Sequence, residues 1–135
     1  MSITTEQPNM AVPPVPPLSS PSNVLPKVMV RTLLETVRVP EKETEEQQNE
    51  RMDAAVIALM SIGAASSMDL MYAAHAVASH HAAMECFRRA MLAVGNPDVT
   101  VRFHKSAVSL SRMMAANLDT VENRRALRNR GGKTP

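Results

Sequence analysis

Aromatic side chains are almost missing from this sequence. Its 135 residues include no tryptophan, one tyrosine and two phenylalanines, so the 44% hydrophobic fraction consists mainly of alanine, methionine, valine and leucine. Only four glycines are present, and no stretch alternates Val, Ile, Thr and aromatic residues over the length of a strand. Because alanine strongly favours the helix and methionine is compatible with it, the composition predicts an all-α protein of one small domain.

Cysteine and long apolar runs are also scarce. The single Cys86 cannot form an intramolecular disulfide, and no Cys-x-x-Cys pair is present to bind zinc. The N-terminus lacks the basic-then-apolar order of a signal peptide, and no uncharged run reaches the ~20 apolar residues that span a bilayer. We therefore expect a cytoplasmic protein without a membrane segment.

Sequence motifs for catalysis are absent. The chain has no glycine-rich phosphate loop, no Gly-x-Ser-x-Gly elbow and no His-Glu-x-x-His. Cys86 lies in the middle of a predicted helix, where a thiol is more often a small buried hydrophobic group than a reactive thiolate. The sequence therefore predicts that the protein is not an enzyme and has no catalytic residue or cofactor site.

Histidines are the next residues with metal-binding chemistry. His75, His80 and His81 lie on one predicted helix, but their spacings of i+5 and i+1 do not turn two rings to one face. His81 with Glu85 is the remaining pair, and it would need further ligands from another helix. We therefore predict no metal site. We expect the His81 imidazole to bond Glu85 or a backbone carbonyl, with Glu85 also able to meet Arg88 or Arg89.

Proline is concentrated at one end of the chain. Seven of the ten prolines precede residue 27, in a segment that is low in charge and has no helical periodicity. We therefore predict a disordered leader over residues 1–26, a helical domain over 27–130 and a disordered tail over 131–135. Residues 13–17 also have the PxxP spacing of a docking ligand, although this spacing is common in linkers.

The first half of the domain has the signals of two helices. Apolar residues at i, i+3, i+4 and i+7 predict a short amphipathic helix over residues 27–38. The second helix begins at Pro40, as a first-turn proline, or at Thr44, which has capping-box spacing with Gln47. Gly63 marks its end.

Two longer helices follow. The third spans about residues 68–94 and ends at Gly95, which we expect to adopt a left-handed conformation. The fourth begins at Pro97 or Asp98 and runs to about Arg128. The predicted fold is a small all-α bundle of three long helices in an up-down arrangement with a short helix laid across them.

The apolar positions indicate which faces pack. The third-helix stripe is Leu70, Ala74, Val77, His81, Met84, Phe87, Met91 and Val94, and the fourth-helix stripe is Phe103, Ala107, Leu110, Met114, Leu118 and Val121. Residues 54–62 are apolar on every side, which predicts a position at the centre of the bundle or in an interface. Because alanine buries little area, we expect a homo-oligomer formed through residues 55–62 and 73–82.

Charge is distributed unevenly along the chain. Residues 41–53 carry six acidic and two basic side chains, whereas the chain from residue 95 onward carries eight basic and three acidic ones. Acids at a helix start and bases at a helix end are favoured by the helix dipole. The alternative is that Arg124, Arg125, Arg128 and Arg130 contact a nucleic acid or an acidic partner.

One segment has a recognisable pattern. Residues 80–91 read His-His-Ala-Ala-Met-Glu-Cys-Phe-Arg-Arg-Ala-Met, and Leu-Ser-Arg follows at 110–112. This pattern resembles a group of short proteobacterial proteins that are often found among phage-derived or mobile-element genes and have no assigned activity. The similarity covers roughly residues 54–130 and implies a bacterial accessory protein.

The sequence therefore predicts a non-enzymatic, self-associating helical interaction protein of bacterial origin. The expected partners are a second copy of the chain and an unidentified protein, with no membrane. The alternative is a nucleic-acid-associated accessory protein that uses its arginine-rich end.

Overall fold

The computed structural model describes residues 21–37 and 43–132 and places almost all of them in four helices. The helices are α1 Pro21–Val37, α2 Glu45–Ile62, α3 Ser67–Leu92 and α4 Pro97–Gly131. No strand occurs among the described residues, and the predicted all-α class is confirmed. Most of the predicted leader, residues 1–20, and the last three residues of the predicted tail lie outside the described part of the chain.

Local signals fix both ends of α2. The Thr44 hydroxyl accepts a hydrogen bond from the backbone N–H of Gln47 at 3.2 Å, and the Gln47 side chain accepts one from the Thr44 N–H at 3.0 Å. This reciprocal capping box makes Thr44, and not Pro40, the start of the helix. Gly63 ends α2 with a φ of 67°, which glycine adopts without strain because it has no Cβ.

The ends of α3 and α4 also follow capping rules, with one difference from the prediction. The Ser66 hydroxyl caps α3 by accepting a backbone N–H, and the Asn96 side chain does the same for α4, whose first residue is Pro97. The predicted left-handed conformation at Gly95 is wrong, because a positive φ occurs among the described residues only at the end of α2. Helix α3 ends earlier, where the Ala93 N–H donates to carbonyls of the last turn.

Two helices are longer than the sequence predicts. Helix α1 begins at Pro21 and not at Lys27, so residues 21–26, which we predicted as the last part of the leader, are helical. Proline suits a first helical position because its missing N–H would have no partner there. Pro26 lies inside α1 and removes one backbone hydrogen bond. Helix α4 continues to Gly131, three residues past its predicted end.

Helix α3 is the centre of the bundle. It packs against each of the other three helices; α2 packs on α1 and α3, and α4 packs mainly on α3. Helices α1, α2 and α3 form one core cluster, made of Leu33, Val37, Ala55, Leu59, Ala73, Ala74 and Val77. Helix α4 adds the fully buried Ala107 and Val121. The core therefore consists of small and branched aliphatic side chains, and the two phenylalanines of the predicted stripes are only half-buried.

Helix α2 lies at the edge of the bundle, which corrects the prediction that residues 54–62 are central. Only Ala55 and Leu59 of this helix are buried. The Ile57 and Met60 side chains are 64% and 75% exposed. The outer side of α2 is therefore apolar but uncovered, and the second alternative, an interface with another molecule, stays a prediction.

Helix α3 carries apolar residues on more than one face, and the chain buries the face with the smallest side chains. Ala76, Ala83 and Ala90 repeat every seven residues and are buried outside the core cluster, on the helix that packs most extensively against α4. Alanine lets two helices approach closely, which explains this choice. Met84 and Met91 of the predicted stripe are exposed instead.

The alanine face over residues 73–82, which we predicted to join two copies, packs within the chain. Ala73 and Ala74 are buried in the core cluster, and Ala78 packs against it. This part of the predicted interface is therefore wrong. A second copy cannot contact Ala73 or Ala74, which are buried in the core.

Candidate functional site

Two of the arginines predicted to contact nucleic acid converge on a buried carboxylate. Arg124 Nε donates a hydrogen bond to Asp69 Oδ1 at 2.7 Å, and Arg128 Nη1 lies 2.7 Å from Asp69 Oδ2. The Asp69 side chain is fully buried, whereas the two arginine side chains are 39% and 37% exposed. The contact joins the C-terminal end of α4 to the first turn of α3.

The two arginines keep Asp69 ionised. The hydrogen bond from Arg124 holds the pKa of Asp69 below its usual range, and it outweighs burial, which acts in the opposite direction. Ser66 and the positive charge of Arg128 lower this pKa further. Because a buried charge is tolerated only when it is paired, both arginines are part of what holds α3 and α4 together.

Arg125 is bound at another helix end. Its Nη2 donates hydrogen bonds to the carbonyl oxygen of Ile62 and to that of Gly63, the latter at 3.1 Å. These carbonyls end α2, where the last turn has no intrahelical partners. Of the four predicted arginines, only Arg130 makes no side-chain hydrogen bond or ion pair with a described residue. The arginine-rich end is therefore used mainly to connect helices.

Glu85 is paired as the sequence predicts. Its Oε1 accepts hydrogen bonds from Arg88 Nη2 and Arg89 Nε, each at 2.7 Å. The hydrogen bond from Arg88 is the main cause that lowers the pKa of Glu85 to about 2. Burial lowers the pKa of His81 below its usual range, and a neighbouring histidine and arginine add to this effect. The described residues contain no group of three His, Cys, Asp or Glu side chains that could hold a metal ion.

A cavity of about 280 Å³ lies beside Cys86, between the end of α1, the first half of α2, the middle of α3 and the start of α4. Its two guanidinium groups are already paired, Arg51 with Glu43 and Arg89 with Glu85. The cavity therefore offers no unpaired arginine for a charged ligand.

An apolar groove runs between α2 and α4, with α3 as its floor. It encloses about 290 Å³ and is lined by Ala58, Ser61, Ile62, Ala76, Val77, His80, Met114 and Leu118. The groove exists because α2 and α4 each pack on α3 and leave space between them. Only Ser61 and His80 among the lining residues have polar side chains, so the groove fits an apolar surface.

The floor of the groove continues along α3 as exposed apolar side chains. Met84 follows Val77 by seven residues and Met91 follows Met84 by seven, so all three lie on one face of the helix. Met84 is 53% exposed and Met91 is 74% exposed. Beside them, the Phe87 ring contacts the His104 ring of α4, with 5.9 Å between the ring centroids.

Helix α4 extends the same surface. His104 lines a shallow cavity of about 350 Å³ with Val101 and Val108, whose side chains are exposed. We call the groove together with Met84, Met91, Val101 and Val108 the groove surface. It combines side chains of three helices in one apolar area that residues 21–37 and 43–132 leave exposed.

Comparisons with known proteins give no indication of function. No family model, curated protein or solved structure matches this chain. The resemblance to phage-associated proteobacterial proteins stays a prediction. Within the described residues, no helix combines the length and the apolar character needed to cross a membrane.

Proposed function

We propose that this protein is a non-enzymatic, cytoplasmic helical interaction protein that self-associates through the groove surface, and that it serves as a bacterial accessory protein. One observation carries the proposal: α2 and α4 leave an apolar groove over α3 that continues into exposed methionine and valine side chains. Contiguous exposed apolar area on a small protein indicates an interaction site.

The energetics of an alanine-rich core support self-association. Burial stabilises by about 25 cal/mol per Å² of apolar surface, so alanine contributes less than larger aliphatic residues. In this chain, much of the larger apolar area is left uncovered, including Ile57 on α2 and Met84 on α3. A second copy that covers the groove surface would add burial that one chain lacks. Methionine suits such a surface because its flexible side chain adapts to different neighbours.

The alternative function, nucleic-acid binding by Arg124, Arg125, Arg128 and Arg130, has less support. Arg124 and Arg125 donate hydrogen bonds to groups within the chain, and Arg128 forms an ion pair with the buried carboxylate that Arg124 also contacts. Phosphate binding would compete with these contacts. We therefore place self-association first.

The test compares two methionines of similar exposure on opposite sides of α3. Met84 is 53% exposed on the groove surface, and Met68 is 45% exposed and lies roughly 160° away around the helix. We expect Met84→Glu to weaken the dimer by about 10-fold or more, because a carboxylate would be buried against an apolar surface. Met68→Glu should leave the dissociation constant unchanged. Sedimentation velocity over a dilution series measures both.

Circular dichroism controls for folding in the same two variants. Both substitutions are at exposed positions, so the helical signal should equal that of the wild type. Equal dissociation constants for the wild type and both variants would contradict the assignment of the groove surface.

A further inference from the structure

The two sides of the groove surface carry opposite charge. On α2, Glu50 precedes the groove residue Ser61 by 11 residues, which is three helical turns, so both lie on one side of the helix. Glu46 lies one turn before Glu50. On α4, Lys105 and Arg112 line the shallow cavity beside Val101 and Val108. We call the first pair, Glu46 and Glu50, the acidic rim and the second pair, Lys105 and Arg112, the basic rim.

Glu50 of the acidic rim and Lys105 of the basic rim lie toward the same end of the bundle. Arg51, the residue after Glu50, shares a cavity with Phe103, which precedes Lys105 by two residues. At the other end of the groove, Ala58 of α2 lies across from Met114 of α4. Glu50 and Lys105 therefore lie at a similar height on opposite sides of the groove. Glu46 lies one turn nearer the end of the bundle, and Arg112 lies two turns further along the groove.

The rim charges have no partners within the described residues. All four side chains are exposed, and none forms an ion pair or a side-chain hydrogen bond with another described residue. Glu46 and Glu50 are instead one helical turn apart, where like charges repel. Neither Lys105 nor Arg112 has an acidic residue three or four positions away. Such unpaired, clustered charges beside an apolar surface are typical of an interface rim.

Symmetry determines how two copies can use these rims. A two-fold axis that runs along the groove places α2 of one copy opposite α4 of the other at the same height, so each acidic rim faces a basic rim. A two-fold axis across the groove places α2 antiparallel to α2 and α4 antiparallel to α4, so the acidic rim would face only α2 of the other copy and no basic rim. Only the first arrangement is electrostatically complementary.

We infer that two copies of this chain pair groove to groove about a two-fold axis parallel to the helices, with the acidic rim of each copy against the basic rim of the other. The inference rests on the proposed function and names its partner and orientation. This arrangement makes the contact self-complementary, because each copy contributes one acidic and one basic rim. It also makes the association sensitive to salt, because the rim charges are exposed.

Charge reversal tests the pairing. We expect Glu46→Lys/Glu50→Lys and Lys105→Glu/Arg112→Glu each to weaken self-association by about 10-fold or more at low salt, because each places like charges together at both rims. Combining all four substitutions in one chain should restore the dissociation constant to within about 3-fold of the wild type, because both rims are then reversed. The two double variants, mixed in equal amounts, should form a heterodimer.

Controls separate this inference from the proposal on which it rests. Arg130→Glu changes charge at the opposite end of α4 and should leave the dissociation constant unchanged. If the wild type dimerises and neither double reversal changes the dissociation constant, the rim pairing is wrong, although self-association still holds. If the wild type stays monomeric at all concentrations, the proposed function itself is wrong. Sedimentation velocity at low and high salt measures each case.

Discussion

The Arg124→Gln/Arg128→Gln double variant is expected to melt about 10 °C or more below the wild type, since an unpaired buried charge is strongly destabilising. Both substitutions remove the positive charges that lie 2.7 Å from the Asp69 carboxylate oxygens. Differential scanning calorimetry measures the shift. Arg130→Gln is the matched control, because Arg130 lies on the same helix without a described partner, and it should leave the melting temperature within about 2 °C.

Acidification should reduce the difference between this variant and the wild type. Because the folded pKa of Asp69 is lowered, its stabilising contribution is fully present above the ordinary carboxyl pKa of about 4 and is lost as the pH falls through the folded value. In the variant, the Asp69 carboxylate has no arginine partners, so protonation at low pH neutralises the buried charge and removes its destabilising effect. A melting-temperature difference that stays constant from neutral to strongly acidic pH would contradict the ion-pair account. Asp69→Asn should respond little to the further loss of Arg124 and Arg128.

Enlarging Ala107 should also have a large effect. Ala107 is fully buried on α4, which packs along α3 through small side chains. Ala107→Leu would force the two helices apart and cost about 1 to 3 kcal/mol, which lowers the melting temperature by roughly 5 to 15 °C. Ala116→Leu is the matched control, because Ala116 is exposed on the same helix. Thermal unfolding followed by circular dichroism measures both variants, and equal melting temperatures would show that α3 and α4 are not closely packed at Ala107.

Local features of the fold could be predicted from the sequence because the contacts that determine them are local. The capping box of Thr44 and Gln47 spans three residues, and the positive φ of Gly63 follows from glycine's lack of a side chain. The same holds for the pairing of Glu85 with arginines one turn later. Each of these depends on residues that are close in the chain.

The choice between apolar faces could not be predicted in this way. Helix α3 has alanines and larger apolar side chains with the same seven-residue period, at Ala76 and Ala83 and at Val77 and Met84. Periodicity identifies both faces but does not say which one receives α4. The decision depends on how closely the whole helices can approach, which favours the alanine face.

The contact between Asp69 and Arg124 was missed for a related reason. The two residues are 55 positions apart, and in the sequence Asp69 resembles an ordinary first-turn acid. The available signal was the i, i+4 spacing of Arg124 and Arg128, which places two guanidinium groups on one side of α4. A pair of this kind at a helix end can indicate a carboxylate on a neighbouring helix as well as a nucleic-acid surface.

The most direct test of self-association is the molar mass of the full chain in solution. We predict that multi-angle light scattering at tens of micromolar gives twice the monomer mass of 14.7 kDa, and that the mass falls toward the monomer value on dilution. A mass of 14.7 kDa at every concentration would contradict the account.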